Sequence, residues 1–99
     1  MRITDYKEEN QIRLVVEGKV DTATSLNLQQ AILTAFQKSK HVFVDFTDVE
    51  YISSSGLRAL IIGQKTAQSK GGSMVLSGCK GVVLEVLKAS GCVKILTII

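Results

Sequence analysis

The stretch VDFTDVEYISSSGLRALI, residues 44 to 61, constrains the fold more than any other. An apolar run, Val42-Phe43-Val44-Asp45-Phe46, has the composition of a buried strand and ends in a short polar segment. Three consecutive serines follow, Ser53, Ser54 and Ser55, then Gly56. From there Leu57, Leu60 and Ile61 mark one face of an amphipathic helix. Hydroxyls therefore collect where a strand hands over to a helix. The first turn of a helix carries unpaired N–H groups and a partial positive charge. Such a place accepts either a serine cap or an anion, including a phosphate on one of its own serines. One serine suffices for a cap, so both readings stay open at this level.

The flanking segments predict the rest. Arg2 to Lys7 reads as a strand, Glu8-Glu9-Asn10 as a turn, and Ile12 to Val16 as a second strand, antiparallel to the first. Gly18 is expected to break that strand, with Asp21, Thr22 and Thr24 as candidate caps. Leu28, Ala31, Ile32, Ala35 and Phe36 recur at helical spacing, in a helix ending near Lys40. Strand, helix and strand in that length imply a right-handed crossover to a parallel neighbour, with 42 to 46 a central strand covered on both faces. A second helix runs from about Ser55 to Ser69 and stops at Gly71-Gly72. Ser73 to Leu76 is a strand. Val83, Val86 and Leu87 mark a short helix ended by Gly91, and Val93 to Ile99 reads as a last strand. The order ββαβαβαβ predicts an α/β (α+β) domain: a mixed, mostly parallel sheet of about five strands with helices packed on it. Ninety-nine residues fit one domain, 1–99, and 45% hydrophobic residues can fill one core.

Composition excludes several function classes. The formal charge of +3 comes from scattered lysines and arginines, without the aromatic-basic interleaving that grips nucleic acid. Cys79 and Cys92 have no metal-ligand spacing, and with a single histidine no zinc site or other cofactor is expected. Both thiols are expected buried and reduced. Asp45 and Asp48 are weak metal candidates; Asp45 at a strand end is expected to accept from loop N–H groups instead. No run is long and apolar enough for a membrane span, and the polar N-terminus does not resemble a signal peptide, so a cytoplasmic location is expected. A serine enzyme built on Ser54, His41 and an aspartate is disfavoured. His41 opens the strand that Ser54 follows, so the two fall at opposite ends of the sheet.

The central stretch resembles the signature of the STAS domain family, the bacterial anti-sigma factor antagonists. Asp45, Val49, Ile52, Ser54, Ser55, Gly56 and Leu57 match that pattern, and Gly18-Lys19-Val20-Asp21 resembles its Gly-x-hydrophobic-Asp element. Ser53 departs from it, standing where many members have Asp. The resemblance covers essentially the whole chain. It implies a phosphoacceptor at Ser54 and a partner-binding surface including Asp21, Ser53, Ser55 and Gly56. It further implies binding to an anti-sigma factor that is itself a serine kinase, release of a sigma factor, and reversal by a phosphatase. On the second helix Arg58, Ile62 and Lys65 form an outward stripe, a further candidate partner surface. Ser55 also suits a cap or a first-turn position, and Asp21 a cap. The alternative function is a non-switching STAS subunit of a lipid-transport or stressosome-like assembly. The free protein is expected to be a monomer.

Overall fold

In the computed structural model, which describes Met1–Ile99, the elements are β1 (Arg2–Lys7), β2 (Ile12–Val20), α1 (Ser25–Lys38), β3 (His41–Ile52), α2 (Ser54–Ser69), β4 (Ser73–Ser77), α3 (Gly81–Ala89) and β5 (Thr97–Ile98), with a 3-10 turn at Cys92–Lys94. Strand order in the sheet follows chain order, β1-β2-β3-β4-β5. β1 and β2 are antiparallel; β2, β3, β4 and β5 run parallel. The ββαβαβαβ order and the mixed, mostly parallel sheet agree with the sequence expectation.

Successive right-handed crossovers between adjacent parallel strands place all three helices on one face. Burial follows that face. Ile12, Leu14, Val16, Val42, Val44, Phe46, Met74 and Leu76 lie under the helices in one hydrophobic core. Their alternates, Arg13, Val15, Phe43, Asp45 and Val75, are only half-buried. The central strand is thus covered on one face, not on both as its apolar run suggested. α1 and α2 close over the sheet through Leu28, Ile32, Phe36, Leu57 and Leu60, all buried. At roughly 25 cal/mol per Å2, each such side chain contributes about 1.5–3 kcal/mol relative to exposure.

Three boundaries differ from expectation. β2 continues through Gly18 to Val20, and β3 through the supposed polar segment to Ile52. The two extensions pair with each other, Glu17 with Asp48 and Lys19 with Tyr51, across register shifts on either side of Gly18. Gly18 has φ +96°, a conformation open to glycine, so it bends the strand without ending it. At the other end, Val93–Ile99 supplies only a two-residue strand. Cys92 and Leu96, four positions apart, are both buried, so this segment follows a helical turn before joining β4.

Candidate functional site

The parallel strands deliver both helix starts to one end of the sheet. The Ser53 N–H donates to the Val20 carbonyl at 2.8 Å, which sets the start of α2 beside Asp21 and the approach to α1.

At α2, Ser53 is the N-cap: its Oγ accepts from the Gly56 N–H at 3.2 Å. The Leu57 N–H donates to the Ser53 carbonyl, whereas the N–H groups of Ser54 and Ser55 have no backbone acceptor. Ser53 therefore supplies the cap, and Ser55 takes the first-turn position that was its alternative. Ser54 is the first helical residue and is exposed; Ser55 is half-buried. Neither hydroxyl is engaged by another protein group, whereas that of Ser53 is already committed. The first turn of α2 holds no acidic side chain, so nothing there competes with an anion for the helix end.

Gly56 is buried. A Cβ at this position would stand 2.7 Å from an Ile52 side-chain carbon and 2.8 Å from one of Val20. Glycine here lets the helix start seat directly on the ends of β2 and β3. Gly56 thus positions the surface rather than presenting a side chain to a partner.

At α1, Thr24 precedes the helix without capping it by its side chain. Asp21 instead closes a tight turn. Its Oδ1 accepts from the Thr24 N–H at 3.0 Å, and Thr24 Oγ1 accepts from the Asp21 N–H at 3.0 Å. The Thr24 hydroxyl proton lies between Asp21 Oδ1 and the Lys19 carbonyl, both 3.0 Å away. The Thr24 hydroxyl, and then its N–H, hold the Asp21 carboxyl below its ordinary pKa of 3.8. Asp21 is half-buried, so it stabilises the turn while an edge stays open to a partner.

On α2, Arg58 and Lys65 are exposed and Ile62 is half-buried, in keeping with an outward stripe. Ile61 packs against the core. Two residues at this end went unread in the sequence. Leu26, in the first turn of α1, is 59% exposed, and Tyr51, near the end of β3, is 42% exposed. Leu26 lies off the Leu28–Ile32–Phe36 stripe, a signal that was available. Tyr51 was hidden by the assumption of a loop.

His41 opens β3 and Ser54 follows its far end; His41 Nδ1 sits 2.8 Å from Ser73 Oγ. No hydrolytic constellation forms from these two. Asp45 accepts from the Thr47 N–H at 2.9 Å and from its hydroxyl at 2.6 Å, but both residues lie within β3, so this is a bond inside the extended strand and not the expected one to a loop. No three acidic, histidine or cysteine side chains converge as metal ligands would. Cys92 is buried, but Cys79 is only half-buried, and burial pushes its thiol up to about 11. No helix is long and apolar enough to cross a membrane.

Known proteins resemble both the sequence and this arrangement. BtrV of Bordetella bronchiseptica, named as an anti-sigma factor antagonist, is 29% identical over 96 residues, covering 96% of this chain and 83% of that protein. A Thermotoga maritima protein carrying the same description shares the fold with a TM-score of 0.88 at 19% identity, over 97% of this chain and 84% of its own. The phosphorylated form of SpoIIAA from Bacillus superposes with a TM-score of 0.75 at 14% identity, over 99% and 91% of the two chains. The model of the STAS domain family matches residues 3–99, and the chain belongs to that family.

Proposed function

We propose that the protein is an anti-sigma factor antagonist: a non-enzymatic binding module that engages an anti-sigma kinase when unmodified and is released by phosphate on Ser54. The observation that carries this reading is the division of labour at the start of α2. Ser53 alone supplies the cap, so Ser54 is left with an exposed hydroxyl at a helix N-terminus that is free of acidic neighbours on its own first turn. A phosphate there gains roughly −1.5 to −2 charges in a place that tolerates an anion, so the fold survives and the effect falls on the interface. Asp21, Ser55, Arg58, Ile62 and Lys65 would border the contact. A phosphatase that removes the group would restore binding. The name of the Bordetella bronchiseptica relative supports the antagonist role.

The test is site-resolved phosphopeptide mapping after incubation with the partner kinase and ATP. The expected result is phosphate on Ser54, retained in Ser53→Ala and Ser55→Ala and abolished in Ser54→Ala. Phosphate on Ser53 alone rejects the assignment. A proven partner that binds without any phosphorylation favours a constitutive STAS subunit instead.

A further inference from the structure

α1 lies over β2 and β3, which leaves the helix-side face of the edge strand β1 without a lid. A groove of about 270 Å3 opens there. Its floor is apolar, from Ile3, Ile12 and Leu14. Its helix wall combines the small Ala31 and Ala35 with the polar Gln30 and Thr34, while the bulkier Ile32 and Phe36 enter the core. Two opposite charges line this groove. Asp5 lies across from core-facing Leu14, which puts its carboxylate on the helix side, and Lys38 ends α1. Neither belongs to an ion pair: the two ion pairs of the molecule are Arg2–Glu17 and Arg13–Glu8. Lys38 suits a helix C-terminus and Asp5 suits an edge strand, but neither role requires the two to line one apolar groove.

We propose that this groove binds a small zwitterion with a compact apolar side chain, of the hydrophobic amino-acid class. The ammonium would face Asp5, the carboxylate Lys38, and the side chain the floor of Ile3, Ile12 and Leu14. Size decides against larger ligands. The volume equals about nine waters at roughly 30 Å3 each, below the range of roughly 300–1,000 Å3 usual for drug-sized molecules. The paired charges decide against a fatty acid or a phosphate, either of which would leave Asp5 opposed to a neighbouring anion.

The test is an amide NMR titration of the full chain with L-leucine to about 20 mM, enough to saturate a millimolar site. Saturable shifts should cluster at Ile3, Asp5, Ala31 and Ala35. Asp5→Asn and Lys38→Gln, both at exposed positions, should each weaken binding about tenfold, and N-acetyl-L-leucinamide, which lacks both charges, should not bind. Ala31→Leu, which fills the groove, should abolish binding; if that variant does not fold, the two charge variants decide alone. No saturable shift, shifts centred elsewhere, equal binding of the capped compound, or indifference to both charge variants overturns the proposal. No kinase or phosphate enters the measurement, so its outcome is separate from that of the antagonist reading.

Discussion

The two helix starts at the same end of the sheet solve one problem differently. At α1 the Asp21 carboxylate and the Thr24 hydroxyl spend themselves on each other and on the turn. At α2 one hydroxyl, that of Ser53, makes the cap, and two more stand by unused. A helix start that has consumed its polar groups is fixed in shape and has no free hydroxyl to modify. One that retains an exposed hydroxyl beside unpaired N–H groups can be rewritten by a covalent anion. On the proposed reading, regulation falls at α2, while the turn at α1 lends rigid support.

The largest way to break this contrast is to place a permanent charge at the open start. Ser54→Asp should fold normally yet lose two to three decades of partner affinity, about 3–4 kcal/mol in a binding titration. Next, Gly56→Ala drives a methyl into Ile52 and Val20, and should cost about 1–3 kcal/mol in urea unfolding. Ser53→Ala removes the cap alone and should cost about 0.5–2 kcal/mol while Ser54 remains a phosphate acceptor. Ile62→Asp should keep its circular dichroism spectrum and weaken partner binding; an unfolded variant would make Ile62 part of the core. The mildest effect belongs to the closed start. The carboxyl of Asp21 has a folded pKa below its unfolded value, so its stabilisation is present above about pH 4 and fades as pH falls through the folded pKa. The stability gap between the native chain and Asp21→Asn should therefore close on acidification.

The features that were legible in the sequence are those set by local pattern. Leu28, Ile32, Ala35 and Phe36 mark the inner face of α1 because a single stripe must reach the core, and all four are buried. The serine run marked a strand-to-helix junction because hydroxyls satisfy helix ends. What was not legible depends on partners far along the chain. Thr47, Asp48 and Glu50 look like a loop, yet become strand because residues 17–20 lie alongside and bond to that segment. Val93 and Ile95 look like strand, yet the burial of Cys92 and Leu96 wins over β-branched propensity; only from Thr97 does the chain join β4, ending with the Ile99 N–H on the Leu76 carbonyl. At the site, which serine serves as cap depended on where the helix begins, and the neighbouring serines are too alike for sequence to separate. Gly56 read as part of a binding surface because its packing against Val20 bridges positions distant in sequence.

The match between strand order and chain order bears on how the molecule assembles. Every strand pairs with one made just before or just after it, so no pairing waits for a distant segment to arrive. Loops closed early are short, and the entropy of closure is met in small steps. The sheet can then grow from the β1–β2 hairpin towards β5, the two-residue strand that finishes it. Hydrogen bonds at that last edge rest on the fewest neighbours, and they are the first to open when the folded chain breathes.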